Sequence, residues 1–501
     1  MKFKYIALLV LTTSSTLLSC GQNYAPKKYY SLYNYRQYQR NSVFSCGTAP
    51  LEGECELLVI PIWFTDSYNY ITDDTKKENV ISDIEKAYFG TMEEVGWYSV
   101  ASFYERDSFG HSKISGVVSP WFECGHPSTD YYSSESDMTG LLNSAIKWYK
   151  QYSGVSKLLD FDKDGDGFLD GVSFIYAAPD ATNLPDEDAE NLWGYTSWTG
   201  ATARKTDPQM KNFFWASYDF MYDEETAYVR AGTDNHRGDC SISNIDPHCF
   251  IHEFGHNYGL PDYYDYVGDN FFSGGFTMQD HNVGAHDPFS RYALGWTSPY
   301  IPTQSCTIKL KPIEQSGESI LLAPTFTQSC FDEYIMVEYY TPEGLNEMDA
   351  NNPYRGYYPS GLTKPAIRIW HIDARLLQFT SNGSLKDIVT DASLKYLYPA
   401  TSNDTYNSTI AVIVERYHKY ADRLSVDFHT LTLLRNDIFA TYQSGAQVCE
   451  EDLFYAGDTF SISEFPNQFA KENKFNNGMS FTWKVEIKDI NSEYATIKLT
   501  K

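Results

Sequence analysis

Apolar and polar positions follow two rhythms along the chain, and the change falls near residue 300. In the first part, Lys76 to Phe89 and Met138 to Tyr152 repeat apolar residues at helical spacing, while Leu57 to Phe64 and Gly171 to Ala178 are short continuous apolar runs. Such runs, bounded by turn residues, predict buried strands, so this part predicts a mixed sheet packed by helices. After Trp296 the pattern shortens to strand-like runs separated by turns: Cys306 to Leu310, Ser319 to Ala323, Tyr334 to Tyr340, Ala366 to Ile372, Thr409 to Val414, Ser480 to Ile487 and Tyr494 to Leu499. At 501 residues the chain exceeds one compact core. The fold class is therefore α+β, with residues 46–300 as a helix-covered sheet domain and 301–501 as a β-rich, sandwich-like C-terminal domain.

One segment joins this pattern to chemistry. His252-Glu253-Phe254-Gly255-His256 carries apolar neighbours Phe250, Ile251 and Phe254 at core-facing spacing. Asp246 is placed to cap a helix there, and Pro247 suits its first position. Side chains four apart share a helix face, so His252 and His256 can grip one ion with Glu253 beside it. Gly259 can take the left-handed conformation that ends the helix, which lets Asp262 swing back as a third ligand. Two imidazoles, one carboxylate and an open fourth position for water describe a catalytic zinc site, with Glu253 as general base. By chance such a His-Glu-x-x-His run arises in a chain of this length about one time in a hundred.

The run from His252 to Asp262, with Tyr263-Tyr264-Asp265 after it, resembles the active-site motif of immune inhibitor A-type secreted bacterial metalloproteases, metzincin relatives that use Asp as third ligand. The resemblance covers roughly residues 55 to 300. It implies a metzincin-like zincin catalytic domain, a mixed sheet with an active-site helix, and zinc-dependent endopeptidase activity on polypeptide substrates. It also implies a methionine turn below the metal, which Phe276-Thr277-Met278-Gln279 supplies with Met278. Asp287 to Trp296 resembles the family's closing helix, Leu57 to Phe64 its first strand and Trp97 to Tyr104 an early helix. Ile367 to Asp373 resembles a segment of its bacterial members. Some metzincins place a tyrosine two residues after the turn methionine to steady the oxyanion. Asp280 stands there in this chain, leaving Tyr292, His281 and His286 as substitutes. A thermolysin-like site, with a distant Glu as third ligand, is the competing arrangement, and Gly259 with Asp262 argues against it.

A second metal signal is Asp160 to Asp170, where alternate aspartates aim oxygen ligands at one point and glycines permit the turn. A register starting at Asp162 puts Gly167 sixth, and Asp162, Asp164, Asp166, the Phe168 carbonyl and Asp170 as calcium ligands. A start at Asp160 is the alternative. Ser173 replaces the bidentate Glu of an EF-hand, so the loop is an incomplete variant with a structural role.

The N-terminus sets the compartment. Lys2 and Lys4 precede the apolar stretch Tyr5 to Leu11, then Leu17-Leu18-Ser19-Cys20, the pattern of a bacterial lipoprotein signal. Residues 1–20 are then signal peptide and Cys20 the lipidated residue of an exported lipoprotein, anchored at an outer membrane or cell surface. Residues 21–45, rich in tyrosine among polar residues, are expected to form a tether. Removing Cys20 from nine cysteines leaves eight, an even number that suggests four disulfides in an exported chain. Short loops favour Cys46 with Cys55, Cys240 with Cys249, and Cys306 with Cys330, leaving Cys124 for Cys449, one of 105 connectivities. A net charge of −27 excludes nucleic acid as an expected partner, and a monomer is expected. The competing class is a surface-anchored glycan- or peptide-binding protein with an inert zinc site.

Overall fold

The structure, a computed structural model, describes residues 24–25, 30–42, 47–133, 137–181, 189, 191–222, 245–266, 270–351, 361–404, 428–443 and 445–501. It is a mixed α/β chain with several sheets. The first apolar run is the long strand Gly53–Trp63, buried throughout its second half. It pairs in parallel with Ser112–Val118 on one side and with Gly171–Tyr176 on the other, and the latter pairs in parallel with Asn212–Ser217. Tyr195–Trp198 closes the sheet as its one antiparallel strand, and it lies at the edge. Central strands that are apolar on both faces need cover on both faces. The helices Asp74–Phe89, Val100–Asp107 and Met138–Ser153, near their expected positions, supply part of it. Side chains cap each helix: Asp73 accepts from the N–H of Lys76, Ser99 from that of Ser102, and Asp137 from that of Gly140.

The later runs build a sandwich. Ser319–Leu322, Glu333–Tyr340, Ala366–Asp373 and Leu431–Leu434 form one antiparallel sheet. Thr459–Phe460, Lys484–Ile490, Ala495–Thr500 and Cys306–Leu310 form another. Ile335, Val337, Ile367 and Ile369 meet Ile308, Val485, Ile487 and Ile497 in the core between them. The opposite face of the first sheet is also buried. Tyr334, Met336, Trp370 and Ile372, the alternate residues of the same strands, join one apolar cluster with Phe250, Phe254 and Met278. That sheet is therefore a shared middle layer, and the largest core runs across residue 300 without a break. Thr409 to Val414, a further expected strand, lies outside the described residues.

Two expectations are corrected. The first concerns residues 21–45, which fold against the body wherever they are described. Tyr24–Ala25 pairs antiparallel with Ile301–Pro302, and Tyr30–Asn41 is a helix. Ser31, Tyr35 and Tyr38 are buried, at spacings of four and three that define one helix face. Tyr35 stacks on Phe331 at 5.8 Å and donates its hydroxyl to the Gly259 carbonyl at 2.5 Å. Gln39 donates to the Tyr258 carbonyl at 3.1 Å, and Arg36 pairs with Asp164 at 2.9 Å. The tyrosines are packing residues of a strap, with enough apolar area to outweigh the polar residues between them.

The second concerns the cysteines. Cys55, Cys124, Cys249, Cys306, Cys330 and Cys449 are all free thiols. The pairings of Cys306 with Cys330 and of Cys124 with Cys449 are overturned because the fold separates the partners. Cys306 opens a strand of the outer sandwich sheet, whereas Cys330 is sealed in the shared core. Cys124 follows the first sheet, whereas Cys449 is exposed and donates to Asp452. Cys55 and Cys249 are unpaired as well; their expected partners, Cys46 and Cys240, lie outside the described residues, as does Cys20. Among the described residues, no helix is long and apolar enough to cross a membrane.

Candidate metal centre

The helix expected around the His-Glu-x-x-His run spans His248–Asn257. Its start is one residue later than the capping pattern implies, yet Asp246 still accepts the His248 N–H at 3.1 Å. Gly259 takes φ +86°, the left-handed turn expected of it, and returns the chain toward the helix. Close approach also demands glycine at position 47, where a Cβ would stand 2.0 Å from the Asn257 carbonyl oxygen.

This local path brings the three expected ligands together. Asp262 Oδ1 lies 2.9 Å from His252 Nε2 and 3.3 Å from His256 Nε2, while Glu253 Oε2 is 3.9 Å from His256 Nε2. His252, His256 and Asp262 form one of two described groups with the spacing to hold a metal ion. Both rings are oriented from behind: His252 Nδ1 donates to the Met278 carbonyl at 2.7 Å and His256 Nδ1 to the Leu260 carbonyl at 2.8 Å. With Nδ1 held by a carbonyl, each ring presents its Nε2 to the Asp262 carboxylate, the atom by which it would ligate a metal. Glu253 is buried and its Oε2 has no hydrogen-bond partner. The centre thus concentrates two imidazoles and two carboxylates. Burial opposes charge on His256, but the Asp262 carboxylate outweighs it and lifts that imidazole to about 10. Burial likewise opposes ionisation of Asp262, yet His256 and His252 hold it well below the usual carboxylate range.

Met278, whose carbonyl holds His252 Nδ1, is fully buried and opens the single turn Met278–His281. The next residue, Gln279, packs directly on Gly255, where a Cβ would fall 2.0 Å from its Oε1. His286 Nε2 holds that same oxygen at 3.2 Å, and His286 Nδ1 bonds Asp107 at 2.8 Å. His286 is therefore committed to the floor. Tyr292 is buried in the core with Phe289 and Leu294, and His281 binds Asp280. None of the three expected oxyanion substitutes is placed at the ligands. Tyr266 is: it is 59% exposed, it donates to Asp262 Oδ2, and its ring packs on Tyr264, which lies against His252 at 6.0 Å. Its spacing of four from Asp262 is a signal the motif did not contain.

The acidic loop divides. Asp162, Asp164 and Asp166 converge as the second described group able to hold a metal ion. Gly167 donates to Asp162 at 3.1 Å, Asp166 to Asp162 at 3.0 Å and Phe168 to Asp166 at 2.8 Å, so the turn folds around its own carboxylates. Burial and the neighbouring Asp164 charge push Asp166 up to about 6. Asp170 stands apart from the expected ligand set, buried, and accepts from the N–H groups of Glu56 at 2.9 Å and Lys163 at 3.0 Å. It ties the loop to the first strand. Phe168 forms an isolated bridge to Gln209.

No protein-family model matches the chain, and no curated protein matches it.

Proposed function

We propose that the chain is a zinc endopeptidase in which His252, His256 and Asp262 hold the metal and Glu253 is the general base. The observation that carries this reading is the convergence of metal-ligating groups: His252 Nε2 and His256 Nε2 each lie within 3.3 Å of Asp262 Oδ1, beside a buried Glu253 oxygen that has no hydrogen-bond partner. A divalent cation satisfies all of them at once. Two ring-orienting carbonyls behind the ligands are what such a centre requires to fix the tautomers.

Held by His252, His256 and Asp262, zinc would supply a Lewis acid that lowers the pKa of water and polarises the scissile carbonyl. Glu253 takes the water's proton at its free Oε2 and passes it to the leaving amine. Tyr266, on the rim, would turn its one hydroxyl proton from Asp262 Oδ2 to the oxyanion as charge develops there. The strand Tyr195–Trp198, at the edge of the sheet among the described residues, lies against the metal helix, with Thr196 donating to the Glu253 carbonyl at 2.9 Å, and such an edge suits an extended peptide. The mixed sheet, its antiparallel edge strand among the described residues and the Met278 carbonyl behind His252 support a metzincin-like domain. The Asp162, Asp164 and Asp166 group takes calcium in a structural role.

Lipidation at Cys20, the reading of the N-terminal signal, then places the body close to the bilayer. Since Tyr24 is already in a strand, four residues of extended chain allow only about 14 Å between lipid and fold. Casein and gelatin assays test the activity. Proteolysis blocked by phenanthroline and restored by zinc is expected; a protein that binds such substrates without cutting them would support the inert binding alternative instead.

A further inference from the structure

A cavity of about 470 Å³ opens beside the ligands, with His256 and Asp262 at one end. Its volume lies in the range of specific ligand sites. The catalytic half supplies only part of the wall. Tyr38 of the N-terminal strap, Phe331, and Leu376 and Tyr398 of a small antiparallel sheet formed by Leu376–Phe379, Leu385–Val389 and Leu397–Pro399 line much of the remainder. The polar groups in this lining are mostly committed to one another. Thr401 donates to the Asp373 carbonyl and pairs with Thr430 at 2.8 Å; Tyr35 donates to the Gly259 carbonyl; the Ser402 hydroxyl accepts the Asp404 N–H at 3.2 Å. A guest therefore meets mainly rings and aliphatic carbons, among them Tyr38, Trp198, Phe289, Phe331 and Leu376, with polar groups as the smaller part of the wall. A polar guest would surrender its hydration with little in return. Asp404 also lines the cavity and disfavours an acidic guest.

From this we infer that the cavity receives a bulky apolar side chain, aromatic or long aliphatic, next to the scissile bond of the substrate. The C-terminal region is thereby part of the substrate site: Leu376, Tyr398 and Ser402 set the size of the residue accepted. The inference rests on the peptidase reading and names its substrate class. It also gives the strap a second role, because Tyr38 holds one wall of the cavity while Tyr35 fixes the turn at Gly259 that delivers Asp262.

The test is cleavage of a degenerate peptide mixture by the zinc-loaded full chain, with the cut sites read by mass spectrometry. Phe, Tyr, Leu and Met are expected on one side of the cut, enriched at least about tenfold over Ala and Gly, as apolar pockets discriminate. Ser402 is half-buried at the rim, so Ser402→Trp is expected to fold, keep its zinc and turn the preference toward Ala, Ser and Gly. Tyr398→Ala, which widens the cavity, is expected to keep the preference and extend it to Trp. Cuts without a flanking preference, cuts beside Lys, Arg, Asp or Glu, or a preference unmoved in both variants overturn the inference alone. An absence of any cut by the zinc-loaded wild type removes the peptidase reading itself, and this inference with it.

Discussion

Replacing Gly255 by Ala tests whether the floor of the metal centre is rigid. The added Cβ would stand 2.0 Å from Gln279 Oε1 and 2.6 Å from its Cδ, where ordinary contact begins at 3.4 Å, so the amide must retreat by about 1.4 Å. Gln279 is fully buried and its Oε1 is held by His286, itself bonded to Asp107, so the amide has no free direction to swing. Ala in place of Gly within a helix contributes about 1 kcal/mol of stabilisation. Overpacking costs about 1–3 kcal/mol, and a broken buried hydrogen bond a similar amount. The balance is about 2 kcal/mol of destabilisation, a fall in melting temperature of roughly 4–8 °C on the scale of a mid-sized domain. Because the Met278 carbonyl that orients His252 adjoins Gln279, zinc affinity should fall about tenfold as well. Calorimetry and zinc competition titration measure both, and Gly255→Ala/Gln279→Ala should recover much of each loss. A single variant that melts higher than wild type with unchanged zinc affinity refutes the reasoning, since it shows the floor yielding freely.

Three other outcomes are expected. Tyr266→Phe should lower kcat by about a hundredfold with KM and zinc content nearly constant, the scale of one lost oxyanion donor; a change confined to zinc content would make Tyr266 a support for Asp262 only. Removing calcium with a chelator that spares zinc should lower the melting temperature and expose the chain to self-cleavage, since Asp162, Asp164 and Asp166 then repel one another, and unchanged melting would count against the site. His248 stacks on Trp97 at 4.1 Å between Asp246 and Asp349, at 2.5 and 3.2 Å. Burial opposes its charge, but the two carboxylates prevail and raise it to about 10. Its folded value lies above the unfolded value of about 6.5, so its stabilisation is complete below about pH 6.5 and is lost as pH rises toward about 10. Denaturation at pH 6 and pH 10 should show wild type losing on the order of 3 kcal/mol more than His248→Gln; parallel losses would remove His248 as the cause.

What was legible in the sequence was local. Ligand spacing is set by helix geometry, so His252, Glu253 and His256 could be placed on one face from the sequence alone. Gly259 and Asp262 follow because a left-handed turn reverses the chain over three residues. Five of the strand runs of the C-terminal region, at Cys306, Ser319, Tyr334, Ala366 and Tyr494, matched strands closely, since turns bound them. The run from Ser480 begins as a strand only at Lys484, and Thr409 to Val414 lies outside the described residues. The strap was missed although Ser31, Tyr35 and Tyr38 carry helical spacing, because the polar residues between them resemble a solvated linker. Its burial depends on Phe331 and Gly259, which lie hundreds of residues away. The shared middle layer was invisible for a similar reason: the runs Glu333–Tyr340 and Ala366–Asp373 look like sandwich strands, and nothing local says that both faces are covered. An even cysteine count misled, because parity carries no distance information.

Zinc content and turnover measured side by side in Glu253→Gln test the central claim most directly. The amide keeps the shape of the carboxylate and cannot take a proton from water. The expected result is zinc bound at one equivalent with peptide cleavage reduced by about a thousandfold or more. Cleavage near the wild-type rate with zinc in place would contradict the assignment of Glu253 as the base.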